Sequence, residues 1–303
     1  MIYTMTLNPS IDYIVHVDQL KIGEVNRMSQ DFKLPGGKGI NVSRILQRIN
    51  ADSTALGFLG GFTGNFIENW LKKEGLSCRF TSVNEDTRIN VKLKAGKETE
   101  INGLGPNLSE TEIVSLKNNL KKINPGDIVI LSGSTPVGLP SGFYQELIKI
   151  IKNKKAEFVI DTTGDDVLNA LKSSPLLVKP NNHELAEMYQ THFSSLEEII
   201  THGKLLQKQG AQNVIISMAS EGALLFTKEG AYRSNVLKYP VKNSVGAGDS
   251  MIAGFIGEFV RSKNAVEAFK MGVACGSATT FSDDLASKEF IDELLPQVKI
   301  ERL

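Results

Sequence analysis

Two glycine-rich stretches hold the residues of this chain best suited to chemistry: "LPGGKGIN" at 34–41 and "NSVGAGDS" at 243–250. In the second, Gly246, Ala247 and Gly248 stand where the apolar periodicity of a helix begins. Glycines there allow close backbone approach, and the unpaired N–H groups of a helix start form a site for phosphate oxygens. Asp249 is the odd member. A carboxylate beside an anion site costs energy unless it works there, for example by taking a proton from a hydroxyl that attacks phosphorus. The plain alternative is that Asp249 caps the helix.

The first stretch fails as a nucleotide loop. A Walker A loop needs Gly, four residues, Gly-Lys and then Ser or Thr; here Gly39 follows Gly37-Lys38, and Phe32 stands where the first glycine belongs. The glycines of "GFLGGFTGNF" (57–66) lack the spacing of a dinucleotide fingerprint. The four histidines (16, 183, 192 and 202) do not pair at ligand spacing, and no Gly-x-Ser-x-Gly elbow occurs.

The elements that must carry these residues alternate. Short β-branched runs, "IYTMTLN", "STALGFLG", "DIVILSGS", "EFVIDTTG", "PLLVKPN" and "NVIISMAS", predict buried strands of a mainly parallel sheet. Between them Val42, Ile45, Leu46 and Ile49 form a helical stripe, and Ile113, Leu116 and Leu120 another, after the capping box Ser109-x-x-Glu112. Ile252, Phe255, Ile256 and Phe259, then Ala265, Phe269 and Val273, predict two packed C-terminal helices. This strand–helix alternation gives a three-layer α/β fold. Two segments break the rhythm, 13–32 and 87–102, whose alternation lacks an intervening helix. They predict a small separate sheet, a lid over one edge. In the second, Ile89, Val91 and Leu93 share one face, and Arg88, Asn90 and Lys92 the other.

Composition narrows the partner. A chain of 303 residues, 41% hydrophobic, can bury a full core. Thirty-four basic residues balance thirty-four acidic ones, so there is no overall field for nucleic acid or an anionic membrane, and a charged ligand needs a local site. Cys78 and Cys275 lack zinc or CxxC spacing and suit a reducing compartment. The N-terminal residues do not read as a signal peptide, and no run approaches a membrane span, so a cytoplasmic location is expected.

Taken in order, "PGGKGINVSRIL", "KPNNHEL" (179–185) and "NSVGAGDSMIAGF" resemble the two signature regions and the Asn-x-x-Glu motif of the ribokinase-like, PfkB-type carbohydrate kinases. Their order and separation match across the whole chain. Finer stretches, "LGFLGGFTGNFIENWLKKEG", "TRINVKLK", "LSGSTP" and "GSATTFSDDLA", are most similar to the branch that phosphorylates fructose 1-phosphate. Tagatose 6-phosphate and fructose 6-phosphate are the substrates of close competitors.

The resemblance implies a ribokinase-like fold, with a kinase domain at 1–12, 33–86 and 103–303 and a β-sheet lid at 13–32 and 87–102. It makes Asp249 the base that deprotonates the sugar hydroxyl attacking ATP, with Gly246, Ala247 and Gly248 presenting N–H groups to the transferred phosphoryl. Asn181 and Glu184 would orient Mg²⁺ through its water shell; without the resemblance the same pair reads as a helix-capping box. Lys179, Ser217, Ala219, Glu221, Gly222 and Ser277 would meet the nucleotide. Asp12, Gly37, Lys38 and Asn41 belong to the sugar, with glycines 36, 37 and 39 letting backbone lie against it. Arg27, Arg88 and Lys92 on the lid are candidates for the substrate phosphate, their alternative being solvated charge. Ser132 and Ser134 end a strand beside the same substrate. A lid sheet with one apolar face also invites a second subunit, so a homodimer through the lid is expected.

Overall fold

The computed structural model describes residues 1–162 and 164–303. Its strands are β1 Ile2–Thr6, β2 Ser10–His16, β3 Gln30–Gly36, β4 Ser53–Gly60, β5 Ser77–Cys78, β6 Thr81–Val83, β7 Arg88–Ala95 and β8 Lys97–Asn102. They continue with β9 Ile128–Ser132, β10 Glu157–Asp161, β11 Leu177–Val178, β12 Val214–Ser217, β13 Ala223–Thr227, β14 Gly230–Ser234 and β15 Ile300–Arg302. The helices are α1 Lys38–Arg48, α2 Gly61–Lys73, α3 Glu110–Leu120, α4 Phe143–Asn153, α5 Gly164–Leu171, α6 Asn182–Met188, α7 Leu196–Lys208, α8 Ala247–Ser262, α9 Ala265–Thr280 and α10 Lys288–Leu294.

All six predicted strands form, as β1, β4, β9, β10, β11 and β12, although Thr163 of "EFVIDTTG" lies outside the described residues. The large sheet runs β15-β14-β13-β12-β11-β10-β9-β1-β4-β5, with β6 also on β4. It is parallel from β12 to β5, and antiparallel from β12 to β15. Both faces are covered. On β9, Val129 and Leu131 join the core under α3 and α4, whereas Ile128 and Ile130 join the core under α1, α8 and α9. This two-sided burial is why the parallel strands read as continuous apolar runs rather than as alternation. Val42, Ile45, Leu46 and Ile49 are buried as their stripe requires, and Ser109 and Glu112 complete the capping box of α3. Among the described residues, no helix is long and apolar enough to cross a membrane.

The small sheet has the order β3-β2-β7-β8. Its strands extend beyond the expected boundaries: β2 starts at Ser10 and β3 ends at Gly36, so the limits at 12/13 and 32/33 fall inside strands. The reason is pairing, since Ser10 is in register with Gly36 and the ladder continues until α1 begins. Residues 17–29 form no strand. The polarity of β7 is inward: Asn90 and Lys92 are buried, while Ile89 is exposed. A sheet laid over polar strand ends buries its polar face and leaves its apolar face outside.

Candidate active site

The carboxyl ends of β1, β9, β10, β11 and β12 meet the start of two helices, which is where parallel α/β sheets hold ligands. Asp161 ends β10, Lys179 follows β11, Lys38 opens α1, and Asp249 lies in the first turn of α8. Lys38 Nζ lies 3.0 Å from Asp161 Oδ2, and Lys179 Nζ lies 3.9 Å from Asp161 Oδ1. Asn41, one turn along α1 from Lys38, donates from Nδ2 to Asp249 Oδ2 at 2.9 Å.

Asp249 is 6% exposed. Burial pushes its pKa up to about 6, and the Asp161 charge adds to the rise; the Asn41 hydrogen bond and the Lys38 and Lys179 charges oppose it. Asp161 behaves oppositely: burial favours its neutral form, but Lys179 and Lys38 together hold it below the usual carboxylate range. For Lys38, burial favours loss of the proton, but Asp161, Asp249 and Glu184 outweigh it and raise the ammonium's pKa. Two carboxylates and two lysines thus share one pocket, with the proton affinities of the two acids driven apart.

The capping alternative for Asp249 fails. The N-cap of α8 is Gly246, in the left-handed region at φ 78°, with no side-chain cap, and the Asp249 carboxylate is bonded to Asn41 instead. No side chain therefore caps this helix start, and the Ala247 N–H has only a long 3.4 Å bond to the Ser244 carbonyl. A Cβ on Gly248 would sit 2.9 Å from Lys179 Nζ, so the lysine lies directly over the turn.

Asn181 and Glu184 do form the capping box of α6: Asn181 Oδ1 accepts the N–H groups of His183 and Glu184, and Glu184 Oε2 accepts the Asn181 N–H at 2.8 Å. That bond occupies Oε2 alone. Glu184 also lines a small cavity with Asp161, Thr162, Lys179 and Pro180. Among the described residues no three His, Cys, Asp or Glu side chains converge to cage a metal. The donors present fit Mg²⁺, which binds through a carboxylate or two and keeps waters and ligand phosphates as its other partners.

On the lid side, Asp12 Oδ1 accepts from Ser10 Oγ at 2.8 Å and from Asn90 Nδ2 at 3.2 Å, while Lys92 Nζ stands 3.2 Å from Oδ2. Lys92 is therefore not a solvated charge. The glycines of the opening stretch clear space for the protein itself: a Cβ on Gly36 would strike the Asp12 carboxylate, and one on Gly37 or Gly39 would strike Thr6. Close packing of α1 on β1 is what brings Lys38 and Asn41 within reach of Asp161 and Asp249. Arg88 donates to the carbonyls of Asn8 and Gly103, at 3.0 Å each for its best contacts. Burial lowers its pKa, opposed by Asp12. Arg27 is not gathered with Arg88 and Lys92: it is exposed in the 17–29 segment, whose sequence offers no ladder to fold it inward. Ser132 is buried at the end of β9, its Oγ without a partner, and Ser134 is exposed in the loop beyond.

The remaining nucleotide candidates lie on β12, the turn after it, and α9. Ser217 bridges to Asn181, and Ala219–Glu221 make a single 3₁₀ turn closed by Gly222. Ser277 is half-buried on α9, next to Gly276, whose absent side chain leaves room for the Ala247 carbonyl at 3.0 Å. Sequence reasoning missed Asp161, Asn90 and Asn8. Asp161 carried a signal, an acid closing an apolar strand at the ligand edge. Asn90 was hidden because the alternation of β7 does not tell which face is covered. The Asn8 carboxamide donates to Leu104 O at 3.2 Å, and its buried Oδ1 has no partner.

Residues 5–289 match the model of the pfkB family carbohydrate kinase. The chain is 51% identical to a 1-phosphofructokinase of Bacillus subtilis (strain 168), with 100% of both chains covered. It is 37% identical to a D-tagatose-1-phosphate kinase of Bacillus licheniformis, again over 100% of both. Phosphofructokinase-2 from Escherichia coli, solved in complex with substrates and products, superposes with a TM-score of 0.93 at 27% identity over 98% of each chain. A match over nearly the whole length, with the carboxylate–lysine pocket at the sheet edge, leads to one conclusion: the chain belongs to the pfkB family of carbohydrate kinases.

Proposed function

We propose that the protein transfers the γ-phosphate of ATP to the 6-hydroxyl of fructose 1-phosphate, giving fructose 1,6-bisphosphate and ADP. The observation that carries this reading is Asp249, buried at the glycine turn of α8, oriented by Asn41 and with its pKa pushed up to about 6. Such a carboxylate is ionised at neutral pH yet basic enough to take a hydroxyl proton. The N–H groups of Ala247 and Gly248, with Lys38 and Lys179, face the charge that builds on the phosphoryl group in transit, so catalysis is positioning plus electrostatics.

Glu184, and Asn181 through water, would hold Mg²⁺, which would neutralise the nucleotide's phosphate oxygens. Ser217, Ala219, Glu221, Gly222 and Ser277 would contact the nucleotide. Asp12, held on both oxygens, would accept from sugar hydroxyls beside Gly37 and Asn41. Arg88 and Lys92, with Ser132 and Ser134, would meet the substrate phosphate, and Arg27 would join them only if the 17–29 segment moves. Closure of the lid would exclude water, the competing acceptor. Ile89 and Ile101 stand exposed on the face of the lid opposite Asn90 and Lys92, and a second copy of the chain covering them would give the expected homodimer. Both cysteines are free thiols, which suits a reducing cytoplasm.

The second reading is D-tagatose 1-phosphate, favoured by the relative of that name, which would keep both the phosphate and the accepting 6-hydroxyl in place. Coupled ADP release with fructose 1-phosphate, tagatose 1-phosphate, fructose 6-phosphate and tagatose 6-phosphate in parallel tests the assignment. Fructose 1-phosphate is expected to give the highest kcat/KM. Preference for a 6-phosphate would move the substrate phosphate to the other end of the sugar.

A further inference from the structure

Behind the glycine turn, four elements are joined by a run of buried and part-buried hydrogen bonds. Ser250 and Thr279 are fully buried on facing sides of α8 and α9. Ser250 Oγ donates to the Gly246 carbonyl at 2.8 Å, Ser250 and Thr279 hydroxyls are 2.8 Å apart, and the Ala286 N–H donates to Thr279 Oγ1 at 3.2 Å. A hydroxyl carries one proton. Because Ser250 gives its proton to a carbonyl, Thr279 must donate to Ser250, and Thr279 in turn accepts from Ala286. The chain therefore runs one way, from Ala286 to Gly246, and each bond polarises the next.

Its far end is anchored on α1. Arg48 donates to the carbonyls of Leu285 and Ala286, the latter at 2.8 Å. Arg44, its side chain 2% exposed, forks onto Glu74 after α2 and onto Asp284 in the same loop, with closest contacts of 2.9 and 2.8 Å. The loop's Leu285 side chain fills the space a Cβ on Gly246 would need. The helix that supplies Lys38 and Asn41 to the pocket thus also holds the loop that backs the glycine turn.

We propose that this chain sets the direction of the peptide between Gly246 and Ala247, and that Thr279 is a positioning residue for phosphoryl transfer. The Gly246 carbonyl takes two donors from one residue, the N–H and the Oγ–H of Ser250, both at 2.8 Å. In a planar trans peptide the following N–H points opposite to the carbonyl, so fixing one aims the other. The Ala247 N–H makes only a long 3.4 Å bond to the Ser244 carbonyl, which a phosphoryl oxygen can replace. The inference rests on the reading of this turn as the phosphoryl-holding element.

Thr279→Val keeps the shape and removes the hydroxyl. Removing a whole oxyanion donor costs about 100- to 1,000-fold in kcat, so misaiming one is expected to cost roughly 10- to 100-fold, with the sugar-phosphate KM changed by less than about threefold. Thr279→Ser should restore kcat to within a few-fold. Asp284→Asn, at the solvent rim of the anchor, provides a milder variant that should lower kcat by several-fold in the same pattern if Thr279→Val folds poorly. Wild-type kcat in a folded Thr279→Val, or in Asp284→Asn where Thr279→Val does not fold, or a loss that Thr279→Ser does not repair, overturns the proposal. Asp249→Asn run alongside separates the two readings. Loss of turnover there with a silent Thr279→Val removes the chain alone, whereas full turnover in Asp249→Asn removes the phosphoryl-holding turn and this proposal with it.

Discussion

Asn41 and Asp249, 208 residues apart in sequence, share a 2.9 Å hydrogen bond that fixes the carboxylate's orientation and favours its ionised form. The same bond joins the helix carrying Lys38 to the helix that starts at the Gly246 turn. Asp249 is thereby poised between two influences, since burial and Asp161 raise its proton affinity while Asn41 and the lysines lower it.

The pH–rate profile should report that balance. The kcat/KM of the wild-type enzyme is expected to fall on the acid side with a midpoint near pH 6, where Asp249 gains its proton. Asn41→Ala removes a donor to the charged form, so the limb should move to higher pH. Asp161→Asn removes a like charge, so the limb should move to lower pH at reduced kcat. Shifts in the same direction, or none, would detach Asp249 from the profile.

Replacing Asp249 should separate activity from stability. Asp249→Asn is expected to lower kcat by roughly a thousandfold or more, with the ATP KM nearly unchanged. A folded-state pKa above the unfolded value means that the folded protein binds the proton more tightly, so ionised Asp249 costs stability. That cost is absent below the unfolded pKa of 3.8 and complete above about 6, and such a rise corresponds to about 3 kcal/mol. Asp249→Asn should therefore raise the denaturation midpoint at pH 8 and leave it unchanged at pH 3.5. A midpoint at pH 8 equal to or below wild type contradicts the burial cost.

Arg88→Ala should raise the KM for the sugar phosphate by at least tenfold and leave that for ATP nearly unchanged, because its guanidinium is held on the lid by the Asn8 and Gly103 carbonyls, within reach of the Asp12 charge. Lys92→Met leaves the half-buried Asp12 without its cation and should act in the same direction. Initial-rate kinetics with each substrate varied in turn decide it; equal effects on both KM values would put these side chains elsewhere in the cycle.

Ile101, 62% exposed on the outer face of β8, should be covered in a dimer. Ile101→Lys is expected to shift sedimentation at micromolar protein from dimer to monomer. A wild-type protein that sediments as a monomer removes the lid interface.

Much of the fold was legible because buried parallel strands and amphipathic helices write themselves locally: "DIVILSGS" needs apolar residues on both faces, and the Val42–Ile49 stripe needs only one. Asp249, Lys38 and the capping box at Asn181 could likewise be singled out, since each lies in a short run with its own local signal. Only the tertiary structure decided the rest. It gave Asp161 its two lysines, Lys38 from 123 residues earlier at the start of α1 and Lys179 from beyond β11, turned Asn90 and Lys92 inward against Asp12, and left Arg27 in solvent. Alternation in a strand fixes which side chains share a face, but which face is covered depends on what the sheet is laid against. Likewise a carboxylate's proton affinity is set by charges and burial that converge through space, so Asp249 and Asp161, two ordinary acids in the sequence, are driven apart only when the chain is folded.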